Sequence, residues 1–280
     1  MHAYCIMAHN NFAQLQKLIN LLDDSRNVIF LHVDRKVYHE YIMSGGVTTK
    51  LSKIHICEPQ DVRWADISQS QTEVMLFKMV VDSEIQYDRV HLISGSDLPI
   101  KSQNHIHRFF SKHSNVEFLS FGPNPQAFEK RLQYYHFFTK HVRHNRLAQL
   151  GRRIILLFQY PFVKRLKNSP LKFHYGPNWC SLTLRAIKTI VNGWEKYSKY
   201  FRFTTSSDEC YKQMILLNDK SFTFSSEGNL RFVAWEGKSS PRCLQSSDFN
   251  DLLNSNCHFA RKFDMSFDKE IVDMIVNSLN

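Results

Sequence analysis

The chain has no CxxC pair, no Asp-x-Asp, no glycine-rich loop and no long apolar run, and each absence removes a class of protein. Six cysteines (Cys5, Cys57, Cys180, Cys210, Cys243, Cys257) lie far apart, which indicates neither a zinc site nor a disulfide scaffold and leaves reduced thiols as the simpler expectation. Nine glycines occur in 280 residues, and "MAHNNF" after the first candidate strand holds none, so the GxGxxG fingerprint of NAD or FAD binding is missing. Walker loops, GxSxG elbows and HExxH helices are also missing, which sets aside the commonest NTPases and hydrolases. No run of about 18 apolar residues would span a bilayer, and no signal peptide opens the chain. A soluble or surface-attached globular protein is expected, with 43% hydrophobic residues to build its core.

Acidic residues are missing from one long stretch. From Lys130 to Trp194 there are thirteen Lys and Arg and no Asp or Glu, while the remainder carries 23 basic and 26 acidic residues. The net charge of +10 is therefore regional. Within that stretch, "RRIILLFQYPFVKRLK" brackets an apolar and aromatic run with Arg152, Arg153, Lys164 and Arg165. It suits a surface element against an anionic membrane, and equally a buried hydrophobic helix with solvated ends. Nucleic acid is a third reading, but no nucleic-acid motif accompanies the cations, and none is expected to bind.

What is present alternates. Strands are expected at Ala3–His9, Asn27–Asp34, Lys53–Glu58 and Arg89–Asp97, with an amphipathic helix capped by Asn10 after the first and another from about Ser70 to Ser83. Further on, helices are expected near Asn104–Ser111, Arg185–Tyr197, from Ser206, near Ser246–Leu253 and after Phe267, with strands at "VEFLSF", "NWCSLT" and "LRFVAW". The pattern argues for one α/β domain with a largely parallel sheet covered by helices. Ligands of such sheets sit beyond the carboxyl ends of the strands, which draws attention to His9, Asp34, Asp97 and Glu236. Asp97, before a Leu-Pro turn, can instead fix its own loop, and His9 can be a structural histidine. "SSDECYKQMILLN" reads as a helix opening, with Ser206 and Ser207 as caps and Asp208 and Glu209 in the first turn. The same two carboxylates could face a cleft and take a proton from a hydroxyl.

Seven segments in order, "HVDRK", "HLISGSDLPIKS", "GPNWCSLT", "SSDECY", "AWEG", "SPRCL" and "FARKFD", resemble the Core-2/I-branching β-1,6-N-acetylglucosaminyltransferase family, which also contains the peptide O-xylosyltransferases. The resemblance runs from about residue 3 to 265 and is poor from about Phe121 to Leu171. It implies a GT-A type fold, a Rossmann-like mixed sheet flanked by helices, with residues 1–120 as nucleotide-binding half, 121–172 as a variable basic segment and 173–280 as acceptor and catalytic half. It also implies inverting transfer from a UDP-sugar to a glycan hydroxyl, giving a β-linkage, with GlcNAc or xylose as the sugar. Glu209 corresponds to the catalytic base, with Asp208 beside it as capping or acceptor-side neighbour.

The missing Asp-x-Asp fits the same family, which needs no divalent metal and neutralises the diphosphate with basic side chains. The matching positions are Arg242 and Lys262, with Arg261 able to assist. His9, Asp34, Arg63, Trp64 and Asp97 correspond to the nucleotide side. Trp235, Glu236 and Trp179 correspond to the acceptor side. No cofactor is expected beyond the donor. Because the family's vertebrate members carry an anchor, a stem and disulfides, this chain is expected to resemble a bacterial relative, working in the cytoplasm on a surface polysaccharide or lipid-linked precursor.

Overall fold

A computed structural model describes residues 1–139, 145–237 and 240–279, without the side chain of Asn168. Lys140 and Arg143 of the basic stretch lie outside the described residues. Ten strands follow in chain order: β1 (His2–Ala8), β2 (Asn27–Val33), β3 (Lys53–Ile56), β4 (Arg89–Ser94), β5 (Asp97–Pro99), β6 (Val116–Glu117), β7 (Cys180–Leu182), β8 (Thr223–Phe224), β9 (Arg231–Val233) and β10 (Phe259–Arg261). Helices of seven residues or more are α1 (Phe12–Leu22), α2 (Ile67–Asp82), α3 (Gln103–Lys112), α4 (Arg146–Gln159), α5 (Leu184–Phe201), α6 (Tyr211–Leu217) and α7 (Lys269–Leu279).

The main sheet has the order β3-β2-β1-β4-β7, parallel except for β7, which runs antiparallel to β4. All seven residues of β1 and of β2 are buried, as strands covered on both faces require. Their side chains divide by the period of two: Ala3, Cys5, Met7, Val28 and Phe30 join the core under α2, α5 and α6. Tyr4, Ile6, Ala8, Ile29 and Leu31 join the core under α1, α3 and α7. The expected mixed α/β sheet flanked by helices is what forms.

A second sheet, β5-β10-β9, stands at the carboxyl end of β4. The segment Arg89–Asp97, expected as one strand, breaks after Ser94, because Asp97 accepts the Ser94 N–H at 3.0 Å and the Ser94 hydroxyl at 2.7 Å. Asp97 thus fixes its own turn and starts β5. Buried Arg231 clamps the second sheet to β7, giving its guanidinium to the Cys180 carbonyl at 2.7 Å and the Ser181 hydroxyl at 3.0 Å. The helix cap after β1 is Asn11 rather than Asn10, its side chain accepting the Gln14 N–H at 3.2 Å.

The largest departure is at Ser206. No continuous helix starts there: Ser207–Glu209 form a 3-10 turn, the chain breaks at Cys210, and α6 begins at Tyr211. Ser206 is in the left-handed region (φ 52°) and caps nothing with its side chain, while its N–H reaches the Ala65 carbonyl at 2.9 Å. Asp208 and Glu209 therefore sit on a rigid projecting turn, not on the first turn of a solvated helix.

Candidate active site

The turn is held from below by a buried polar network. Lys212, fully buried, pairs with Glu73 of α2 at 2.7 Å, bonds the Asn178 carbonyl oxygen, and reaches the Asp208 carbonyl at 3.0 Å. Glu73 also accepts from the Tyr211 hydroxyl at 2.9 Å and from the Asn178 amide at 2.6 Å. Ser70 and Ser207 share a hydroxyl contact of 2.6 Å. A buried ion pair persists only when its remaining hydrogen-bonding capacity is met, and these partners meet it.

The two neighbouring carboxylates have opposite surroundings. Asp208 is buried, one oxygen taking the Gln69 amide at 3.0 Å and the other having no partner. Burial first, then the charges of Glu73 and Glu209, push its pKa up to about 8. Glu209 points the other way, its side chain 39% exposed and ion-paired with Arg131. Its partner Arg131 lines a pocket of about 200 Å³, together with Trp64, Ala65, Thr139, Arg152, Thr205 and Ser206. An exposed, charge-supported carboxylate on a fixed turn can accept a proton; its neighbour, held protonated, cannot.

The carboxyl ends of β1, β2 and β4 gather a second group. Asp34 is buried beyond β2, takes the Lys36 N–H at 2.9 Å and pairs with the Lys36 ammonium at 2.6 Å. Lys36 continues to Asp61 at 3.0 Å, and Asp61 to Arg63 at 2.9 Å. His9 is exposed beyond β1, yet the surrounding protein lowers its imidazole from the ordinary value, desolvation first and the Lys262 charge second, with Asp34 pulling the other way. Arg261 lies opposite Asp97 in the β5–β10 register, pairs with it at 3.2 Å, and rests 4.4 Å from the centre of the Trp179 ring. Among the described residues no carboxylate lies within ion-pair reach of Lys262. No three His, Cys, Asp or Glu side chains converge on one point among those residues.

The segment 176–179 joins the two groups. The Gly176 N–H bonds the Glu209 carbonyl at 2.9 Å, Asn178 belongs to the Glu73 network, and Trp179 carries Arg261. Gly176 is required by this close approach, since a Cβ there would lie 2.1 Å from the Ser120 carbonyl oxygen.

The other candidates are placed differently. Arg242 is clamped by Asp248 through two bonds of 2.7 and 2.6 Å and touches Glu236 at 3.0 Å, so its fork is already occupied by carboxylates. Trp235 is exposed beside Glu236, and among the described residues no hydrogen bond or ion pair joins this cluster to Glu209. Arg63 and Trp64, adjacent in sequence, diverge: Arg63 faces Asp61, whereas Trp64 lines the pocket beside Glu209. Arg131, Glu73 and Lys212 were not legible as site residues. The first sits in the segment of weak resemblance, and a charged residue on a periodic helix is ordinarily assigned to its solvent face.

The model of the family described as "Branch: Core-2/I-Branching enzyme" matches residues 2–254. The Arabidopsis thaliana β-glucuronosyltransferase GlcAT14A is 30% identical over 269 residues, covering 89% of this chain and 58% of its own length. The Caenorhabditis briggsae xylosyltransferase sqv-6 is 20% identical over 294 residues, covering 94% of this chain and 34% of its own. A Danio rerio β-1,3-galactosyl-O-glycosyl-glycoprotein β-1,6-N-acetylglucosaminyltransferase 4 is 19% identical over 140 residues, 47% of this chain and 31% of its own. The chain thus spans from about a third to somewhat over half the length of these relatives. Mouse xyloside xylosyltransferase 1 aligns over 93% of this chain and 97% of its own, at 10% identity and a TM-score of 0.40, too slight a likeness to argue from.

Proposed function

The chain belongs to the Core-2/I-branching enzyme family, and from that premise we propose that it transfers a sugar from a UDP-sugar to a glycan hydroxyl, with inversion and without a metal ion. The observation that carries this is Glu209, exposed and ion-paired with the pocket residue Arg131, on a turn held by buried Lys212 and Glu73. In the reaction the acceptor hydroxyl gives its proton to Glu209 as its oxygen bonds the anomeric carbon. The bond from that carbon to the diphosphate breaks on the opposite face, and UDP leaves with the electron pair. Lys262, whose charge is felt by His9 beyond β1, is the cation we assign to the developing charge. Arg261 assists while retaining Asp97, and Arg242 can do so only by giving up part of its hold on Asp248. Asp34, with Arg63 and Lys36, is assigned to the nucleoside, Trp179 to the sugar face near Arg261, and Trp235 with Glu236 to the outer acceptor.

Metal independence is supported by the pairing of the strand-end carboxylates with cations of the chain itself, Asp34 with Lys36 and Asp97 with Arg261. A carboxylate so paired is a poor ligand for a hard cation that wants several oxygens. The test is UDP release from a panel of UDP-sugars in excess EDTA. UDP-GlcNAc is the first candidate; relatives named xylosyl- and glucuronosyltransferases make UDP-xylose and UDP-glucuronate the arms that would displace it. Turnover should persist in chelator, and its loss with restoration by Mn²⁺ would overturn the cationic account.

We propose the cytoplasmic side of an anionic membrane, where lipid-linked acceptors would be met, as its place, and α4 supports the membrane contact alone. Leu147, Leu150, Ile154, Leu157 and Phe158 are exposed along one side of it, and Phe162 follows at 84% exposure. Exposed Arg153 and Lys164 flank this apolar face, as in an interfacial helix. Arg165 departs from the expected role: its guanidinium bonds the Tyr134, Tyr200 and Arg202 carbonyls and stacks 4.3 Å from the Tyr135 ring, so it is a structural cation.

A further inference from the structure

The pocket beside Glu209 holds more positive charge than proton transfer requires. Arg131 commits one amino group to Glu209 and lies 4.6 Å from the centre of the Phe128 ring, leaving its other donors unassigned among the described residues. Arg152, reaching the same pocket from α4, has no carboxylate within ion-pair distance among the described residues, and its Nε is buried without a hydrogen-bond partner. Burial, then the neighbouring Arg153 charge, lowers its guanidinium from the ordinary value, as expected of a cation lacking its anion.

Asp66, which follows the lining residue Ala65 and bonds the lining residue Thr139, does not supply that anion. Asp66 takes the Ser68 N–H at 3.0 Å and the Thr139 hydroxyl at 2.6 Å, using one oxygen for each. A partly desolvated guanidinium left uncompensated is unfavourable, and a planar fork of donors is the side chain best matched to an oxyanion. Around it stand hydroxyls of Thr205 and Ser206 and the indole of Trp64, a combination of donors and flat apolar surface that suits a sugar carrying an acidic substituent.

We propose that this pocket binds the anionic group, carboxylate or sulfate, of an acidic acceptor sugar, through Arg152 and the remaining donors of Arg131, and so selects acidic glycans. The proposal rests on the acceptor side being that of Glu209. It adds a coupling: an anion in the pocket gives Arg131 a second partner, which loosens its grip on Glu209 as the acceptor hydroxyl arrives.

The experiment uses the whole protein without any donor. Calorimetric titrations compare a glucuronate-terminated disaccharide, its carboxyl-reduced neutral counterpart, and the neutral disaccharide bearing a sulfate ester. At least one acidic probe should bind tighter than the neutral one by about tenfold or more, the scale of one charge-assisted hydrogen bond, and the two acidic arms tell carboxylate from sulfate. Arg152→Gln should bring that ratio close to one, and Arg152→Lys, which restores a point charge, should recover part of it. A ratio near one in the wild type, a ratio unchanged in Arg152→Gln, or no binding of either acidic probe at millimolar concentration overturns the proposal. Failure of sugar transfer with the acidic preference intact would count against the transferase reading alone.

Discussion

Asp208 and Glu209 show how much one residue's orientation decides. Adjacent carboxylates on a turn look interchangeable in sequence, and neither pattern nor spacing says which is buried. The 3-10 geometry of Ser207–Glu209 turns Asp208 inward against Glu73 and Glu209 outward to Arg131. A consequence is measurable. A carboxyl raised to about 8 in the folded state, from an ordinary value near 4 when unfolded, holds more protons folded than unfolded between those limits. Its contribution to stability is therefore complete below about pH 4, is lost progressively as pH rises from there to about 8, and changes little beyond. Buried His91 and half-buried His107 work the other way: the first is lowered well below its ordinary value and the second to about 4, so both oppose folding in acid. The difference between wild type and Asp208→Asn isolates the carboxyl. The gap in melting temperature should move in favour of the variant from pH 5 to pH 8.5, and a constant gap would show that Asp208 ionises normally. "SSDECY" singled out Glu209 as the candidate base, but it did not show that its neighbour turns inward, because burial is a property of the turn.

Among the elements, strands were easier to foresee than the network beneath the active turn. β1 and β2 carry long apolar runs, and all three of β1, β2 and β4 are buried throughout, as strands covered on both faces are. β6, expected to extend over "VEFLSF", keeps two residues, and β9 keeps three. Short edge pairings depend on partners distant in sequence, so local propensity overstates them. Glu73 lies inside α2 and Lys212 inside α6, and each would ordinarily be assigned to solvent; only the packing of both helices against α5 and the Ser207–Glu209 turn makes them a buried pair. Removing one charge from such a pair leaves the other uncompensated. Glu73→Gln should therefore cost about 3–5 kcal/mol in urea unfolding, with Glu73→Leu/Lys212→Met recovering part of the loss. An effect under about 1 kcal/mol would show that Asn178 and the Asp208 carbonyl alone satisfy Lys212.

At the scale of the whole molecule, the family, the α/β sheet and the strand-end residues His9, Asp34 and Asp97 were readable, because topology fixes where strand ends lie. The basic stretch was not, since its charge allowed three roles and the structure divides it among several: Arg131 at Glu209, Arg152 in the pocket, Arg165 in the backbone, and Arg153 and Lys164 at the surface. The exposed face of α4 gives the surface part a test. Replacing Arg153 and Lys164 with Gln, and Leu157 and Phe158 with Ser, should sharply reduce sedimentation with anionic vesicles while the circular dichroism spectrum stays native, each cation being worth about 1 kcal/mol near the leaflet. Undiminished pelleting would assign that face elsewhere. The transferase account stands or falls with Glu209. Glu209→Gln keeps the size of the side chain and removes the base, so transfer from the UDP-sugar that the wild type uses should fall by about 10² or more, with the affinity for that UDP-sugar nearly unchanged. Turnover within a few-fold of wild type in Glu209→Gln, with donor binding equally intact, would contradict it.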